Sequence, residues 1–152
     1  MIVREQVIDG YLFSTNKSML DINYIHAFLS TQSYWAKGVP LETVKQSIKY
    51  SLAVGVYDNE KQIGFARVIT DYTTFGYLAD VFVDGACRGR GISKNLLSFI
   101  FTLAELTKLR RFMLATRDAH GLYAGVDFKA LKNPEYFMEK HDPNIYLNAQ
   151  TH

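Results

Sequence analysis

The stretch Val81-Phe82-Val83-Asp84-Gly85-Ala86-Cys87-Arg88-Gly89-Arg90-Gly91-Ile92-Ser93 joins an apolar strand to an amphipathic helix through a basic, glycine-rich turn. Downstream, Ile92, Leu96, Ile100 and Leu103 recur every three or four residues, and Leu97 and Phe99 widen the stripe. The spacing predicts a core-packed helix from about Gly91 to about Leu106. The first N–H groups of a helix lack intrahelical partners and sit at the positive end of its dipole. With Gly89 and Gly91 letting the backbone come close and Arg88 and Arg90 adding charge, the turn reads as a phosphate cradle. An ordinary strand-to-helix turn with solvated arginines is the plainer reading of the same letters.

The two better-known glycine loops do not fit. A Walker loop opening at Gly85 needs Gly and Lys where Arg90 and Gly91 stand, and a dinucleotide fingerprint opening at Gly89 needs Gly at Lys94. Arg88-Gly89-Arg90-Gly91-Ile92-Ser93 instead resembles the acyl-CoA loop of the GNAT acetyltransferases: Gln or Arg, two free positions, Gly, one free position, then Gly or Ala. Ser93 departs from the last position but is small enough to keep the backbone approachable.

Composition fits a globular unit. A chain of 152 residues suits one domain, here residues 1–152, and can bury roughly two thirds of its unfolded surface. No apolar run approaches the roughly 20 residues needed to cross a bilayer, so no membrane partner is expected. The start, Met1-Ile2-Val3-Arg4-Glu5-Gln6, lacks a basic segment followed by an apolar core, and a cytoplasmic location is expected. A net charge of +2 with scattered basic residues gives no footprint for nucleic acid. The one cluster, Lys108-Leu109-Arg110-Arg111, reads as a solvated helix end. Cys87 is the single cysteine, which excludes an intrachain disulfide; it reads as a small filler beneath the loop or as a reactive thiol. His26, His120, His141 and His152 show no paired ligand spacing, so no metal site is expected.

The rest of the chain supplies an order of elements. A strand is predicted at Gly10 to Ser14, then a helix capped by Asp21 with Ile22, Ile25 and Leu29 on its apolar face. Pro40 opens a second helix with Leu41, Val44, Ile48 and Leu52 as its stripe. Strands at Ala53 to Tyr57 and Gln62 to Thr70 form a hairpin through Asp58-Asn59-Glu60-Lys61. Phe75 to Val83 leads into the glycine turn. A buried strand at Arg111 to Thr116, a short helix at Ala119 to Val126, a strand at Phe128 to Leu131 and a weak one near Met138 to Lys140 complete the list. This succession is similar to the GNAT order. The resemblance implies a mixed α/β fold: a mostly antiparallel sheet of about six or seven strands, flanked by about four helices and splayed at the acyl-CoA site. Leu122-Tyr123-Ala124-Gly125-Val126-Asp127-Phe128 adds a third likeness, to the family's Leu-Tyr, three residues, Gly-Phe segment. Asp127 stands for the glycine; if that position takes positive φ, Asp tolerates it at some cost.

The resemblance implies acetyl-CoA as co-substrate and acetyl transfer to a primary amine. In the family the thioester carbonyl is held by a main-chain N–H here at about Phe82 or Val83, and the pantetheine arm lies between that strand and the one ending at Thr116. Together with Arg88, Gly89, Arg90, Gly91, Ile92 and Ser93 these form the expected cofactor site. Tyr123 matches the tyrosine that can give a proton to the leaving sulfur; a core tyrosine is the competing reading. Asp80, between residues that look buried, reads equally as a base for the amine or as a hydrogen-bonded structural aspartate.

Tyr34 and Trp35 stand in the connection between the first two helices, as a lid over the acceptor or as a hydrophobic latch. Arg67, inside an apolar strand, needs a carboxylate partner unless it lies at a solvated edge. Asp71, Tyr72, Thr116, Arg117, Asp118 and His120 border the same cleft, with His120 placed to orient an amine or simply to make a local bond at a helix start. The expected partner is a small-molecule amine, and a homodimer is allowed. A non-catalytic acyl-CoA-binding or regulatory module on the same fold is the alternative, and a different acyl donor a further one.

Overall fold

The computed structural model describes residues 2–149. One open sheet runs in chain order: β1 (Glu5–Ile8), β2 (Tyr11–Ser14), β3 (Leu52–Asp58), β4 (Lys61–Thr70), β5 (Phe75–Val83) and β6 (Arg111–Met113). Neighbours pair antiparallel except β5 and β6, which are parallel. The helices are α1 (Ile22–Thr31), α2 (Leu41–Lys49), α3 (Ile92–Thr102), α4 (His120–Ala124) and α5 (Ile145–Ala149). The mostly antiparallel α/β architecture is the one the sequence predicts.

Sheet β3 to β5 is buried on both faces, which is why β3 reads as a continuous apolar run rather than an alternating one. Leu96, Leu97 and Ile100 of α3 pack on one face, against Val54, Val56 and Val68. Ile25 and Leu29 of α1 and Val44 and Ile48 of α2 cover the other, against Ala53, Phe65 and Phe82. Asp21 caps α1 as predicted, its carboxylate accepting the Tyr24 amide at 3.0 Å. The β3–β4 turn carries Asn59 at φ 55°, the left-handed conformation that a two-residue hairpin demands.

Several predicted boundaries are corrected. The glycine-turn helix ends at Thr102: Leu103 is extended, and residues 104–106 form a separate 3₁₀ turn. Leu52 opens β3 instead of closing the stripe of α2. The strand expected over residues 111–116 pairs only to Met113 and is exposed to half-buried. Residues 128–131 and 138–140 form no strand, because they present no alternating face: only the Phe128 ring turns inward, against Phe101, Phe112 and Tyr123, while Met138 is 98% exposed. The additional strand is β1, closed onto β2 by Asp9 (φ 52°) and Gly10 (φ 86°).

Candidate active site

The cleft is made by one extra residue. Between the pairs Arg67–Ala79 and Phe65–Phe82, β4 advances two positions and β5 three, so β5 bulges. Asp80 lies in that bulge at φ 55°. A left-handed residue in a bulge bends its strand, and here the parallel pairing with β6 ends just before it, at Tyr77–Met113. From Leu78 onward the β6-facing edge of β5 has no strand opposite, and residues 114–119 belong to no strand. Backbone donors and acceptors along that edge are therefore available to a ligand.

Two cavities occupy the splay. One, about 570 Å³, is lined by Val81, Phe82, Val83, Arg88, Gly89, Gly91, Ile92, Ser93 and Lys94. Gly89 (φ 80°) and Gly91 (φ 75°) are both left-handed, and a Cβ built on either would project into open space. Any L residue there would be strained as well as intrusive. Gly91 caps α3 without a side-chain bond, and the first turn holds no acidic residue. It holds Lys94 instead, an exposed cation at the positive end of the dipole, where an anion in the turn would offset the repulsion.

Arg90, expected on the cradle, is turned away. Its Nη1 donates to the Tyr11 hydroxyl at 3.0 Å, and it does not line the cavity. Asn95 bonds Asp9 beside it at 2.9 Å, so the loop is moored to the β1–β2 hairpin. Cys87 is half-buried, packed against the core and lining the cradle cavity.

The other cavity, about 590 Å³, includes Tyr34, Trp35, Arg67, Asp80, Thr116, Arg117, Asp118 and Tyr123 in its lining. Asp80 is its hub. One oxygen accepts Arg67 Nε at 2.5 Å, and the other accepts the Trp35 indole N–H at 2.8 Å. Arg67 also donates to the Ser51 hydroxyl at 3.2 Å. The partner that Arg67 needs is thus a protein carboxylate. Tyr34 crosses to the far wall, its hydroxyl accepting the Arg117 amide at 3.1 Å and its ring lying 3.9 Å from the Arg117 guanidinium. The aromatic pair is a lid pinned at both sides of the cleft, and its two rings meet edge to face at 5.0 Å.

Tyr34, Trp35, Val81, Asp118, Ala119 and Tyr123 line both cavities, so the two volumes meet there. Tyr123 is half-buried on α4, and its phenol pKa is pushed up, first by burial and then by Tyr34 and Asp118. His120 is exposed at the start of α4 and lines neither cavity. Asp71 and Tyr72 belong to the β4–β5 turn, outside both: Asp71 accepts the amides of Thr73, Thr74 and Phe75, which with the Thr74 hydroxyl holds its carboxyl well below the ordinary range. Tyr146 of α5 lines the second cavity, and no periodicity in the sequence pointed to it.

A strand-bulge-helix cleft with an anion cradle at one end and an aromatic-lidded cavity at the other has counterparts. Residues 21–128 match the acetyltransferase (GNAT) family model. The chain belongs to the GNAT acetyltransferase family. A protein of Gibberella zeae, provisionally named an acetyltransferase, is 30% identical over 133 residues, covering 74% of this chain and 75% of the relative. A solved structure from Xanthomonas campestris, provisionally named a GNAT acetyltransferase, is 46% identical with a TM-score of 0.89, covering 92% of this chain and 99% of that one. A Deinococcus radiodurans structure shares the fold at 16% identity, with a TM-score of 0.69 over 91% of this chain and 93% of that one.

Against the GNAT pattern the two departures are conservative in shape. Ser93 lines the cradle without closing it. Asp127, in place of glycine, does take positive φ, at 73°. The left-handed glycines, the uncapped helix start and the cations Arg88 and Lys94 fit the phosphates of a CoA thioester, and the unpaired edge of β5 fits an extended polar arm.

Proposed function

We propose that this chain transfers an acetyl group from acetyl-CoA directly to a primary amine of a small molecule. The observation that carries the reading is the meeting of an anion cradle and an acceptor-sized cavity at Tyr123. When bound, acetyl-CoA supplies an activated acyl carbon and a thiolate leaving group. The chain has three tasks toward it. Arg88, Lys94 and the amides around Gly89 to Ser93 neutralise and orient phosphate oxygens. The main-chain N–H of Val83, on the free edge of β5, holds a carbonyl oxygen as negative charge develops on it, whereas the Phe82 N–H is turned toward β4. The Tyr123 hydroxyl gives a proton to sulfur; its raised pKa keeps it protonated at neutral pH, so the proton is available as charge develops on the sulfur.

Asp80 acts in this scheme by position. With both oxygens already accepting N–H groups, it fixes the lid and the bulge, and the amine loses its proton through water or another group at the junction. Trp35, Tyr34 and Thr116 border the acceptor, and Arg117 guards the rim. A cytoplasmic setting belongs to the same proposal; among the described residues no helix is long and apolar enough to cross a membrane.

The test is a panel of amines incubated with acetyl-CoA and followed by release of free thiol, with CoA binding measured by calorimetry on the same sample. Thiol release that depends on the amine, with the acetylated amine recovered, is the expected result. CoA binding without turnover across the panel would move the protein to the non-catalytic acyl-CoA-binding class.

A further inference from the structure

We infer that the β1–β2 hairpin is a working part of the cofactor site: Tyr11 and Asp9 are positioning residues that hold the phosphate turn in shape from its far side. The inference deepens the acetyltransferase reading and rests on it, since it takes that turn as the CoA cradle.

The need for outside support follows from what the turn has to do. Amides that bind phosphate must stay free, and among the described residues the N–H groups of Gly89, Arg90 and Gly91 donate to no backbone carbonyl. The free span is bounded by the Arg88 N–H on the Gly85 carbonyl at 3.4 Å and by the Asn95 N–H on the Gly91 carbonyl at 3.1 Å. Gly89 and Gly91 are left-handed and have no side chain to pack. Glycine has the most backbone freedom to lose, so a turn left to itself would be ordered only as ligand binds, and that cost would be subtracted from affinity.

Side chains supply the order instead. Arg90 Nη1 donates to the Tyr11 hydroxyl at 3.0 Å, and Asn95, in the first turn of α3, donates from Nδ2 to Asp9 Oδ2 at 2.9 Å. The two bonds stand on either side of Gly91 and reach back 79 and 86 positions to one hairpin. None of the four residues lines either cavity, so the moorings leave the ligand side of the turn open.

The hairpin is a firm anchor. It turns on Asp9 (φ 52°) and Gly10 (φ 86°), a two-residue connection, and Ile8 and Tyr11 at its mouth pack on the core cluster that contains Leu96 and Ile100 of α3. The turn and the helix it opens are thereby referred to the same packed block.

Calorimetric titration of CoA and of pantetheine tests the inference. Tyr11→Phe keeps the packed ring and removes one acceptor. Asp9→Gly keeps the left-handed turn and removes the other, whereas Asp9→Asn has the same charge as Asp9→Gly but retains an acceptor oxygen and tolerates the same φ. Tyr11→Phe should bind CoA about twofold more weakly than the wild-type protein, Asp9→Gly about twofold more weakly than Asp9→Asn, and the Tyr11→Phe, Asp9→Gly double variant about fivefold more weakly than Asp9→Asn. Pantetheine, which does not reach the turn, should bind all of them alike. The slope of CoA affinity against salt in Tyr11→Phe should match the wild-type slope, because no cation facing the phosphates is lost. Unchanged or tighter CoA binding in Tyr11→Phe, an equal loss for pantetheine, an altered salt slope, or an Asp9→Asn as weak as Asp9→Gly overturns the inference. Tyr11→Phe and the two Asp9 variants decide it should the double variant fail to fold. A wild-type protein that binds no CoA would sink the acetyltransferase reading itself, whereas CoA binding indifferent to the hairpin sinks only this inference.

Discussion

Trp35 donates its indole N–H to Asp80 across 2.8 Å, tying the loop between α1 and α2 to the bulge that opens the cleft. The same carboxylate holds Arg67, so lid, bulge and the neighbouring strand share one charged group. The geometry that admits a ligand and the geometry that covers it therefore depend on a single side chain.

Asp80→Asn should be strongly destabilising, because it leaves the mostly buried Arg67 without a counter-charge. Breaking such a pair from one side costs about 3 kcal/mol, or roughly 10 °C in Tm for a chain of this size. Asp80→Gly removes the same charge and also the acceptor for the Trp35 indole N–H, which Asn keeps through its amide oxygen while tolerating the left-handed backbone, so it should be the more harmful of the two. Thermal unfolding of both variants, with Trp35 fluorescence as the probe, checks the order. A bystander aspartate would leave Tm and emission unchanged in each.

Gly91→Val places a branched side chain at φ 75° and fills the open space of the turn. Backbone strain should cost about 1–3 kcal/mol, while CoA affinity should fall by more than tenfold because the amides can no longer approach the phosphates. Calorimetry on folded protein measures the second effect directly. Unchanged CoA affinity would mean that the turn is not the cradle.

The cradle cations separate by direction rather than by sequence distance. Arg88→Ala and Lys94→Ala should each weaken CoA severalfold, with the loss fading at high salt, whereas Arg90→Ala should leave the salt dependence intact and only loosen the Tyr11 mooring. Pantetheine lacking the nucleotide and phosphates should bind all three variants like the wild-type protein. An Arg90 variant as defective as Arg88→Ala would place its guanidinium on the phosphates after all.

Legibility followed local rules. The glycine turn, the Asp21 cap and the Asn59 hairpin were readable because each is fixed by residues a few positions apart. The Asp9-Gly10 hairpin carried the same kind of signal and predicts β1 by the rule that found the β3–β4 hairpin. What depended on long-range geometry was not readable. Arg90 and Lys94 look equally suited to a phosphate, and only the packing of Tyr11 against the loop decides between them. Leu114 to Thr116 have strand-like letters, but a bulge on a different strand removes their partner. Tyr146 lies 66 positions beyond Asp80 and belongs to no periodic pattern.

Tyr57 is buried with its hydroxyl unpartnered among the described residues, its ring fitted over Gly55, where any side chain would collide with it. Burial is the main cause pushing its pKa up to about 12. An unfolded tyrosine ionises near pH 10, so the folded state binds the proton more tightly, and the associated stability is intact below pH 10 and lost as pH rises from 10 toward about 12. Tyr57→Phe should raise stability at pH 7 by about 1 kcal/mol by removing an unsatisfied hydroxyl, and should blunt the loss above pH 10. Denaturant midpoints at pH 7, 10 and 11 test both, and a destabilised variant would reveal a hydrogen bond to that hydroxyl.

Tyr123→Phe removes one hydroxyl and keeps the ring packed edge to face against Phe128. A proton donor to the leaving sulfur acts as charge develops, so its loss should lower turnover on the order of 10²-fold while acetyl-CoA affinity stays nearly constant. Because its pKa is raised, the phenol stays protonated throughout the neutral and mildly alkaline range, and its own titration should not limit turnover below pH 10. A tyrosine that only fills space would give the opposite pattern, near-normal turnover in a protein of altered Tm. Measuring Tm and steady-state rate on one sample, with an amine the panel has identified, distinguishes them, and wild-type turnover in the variant would remove Tyr123 from the mechanism.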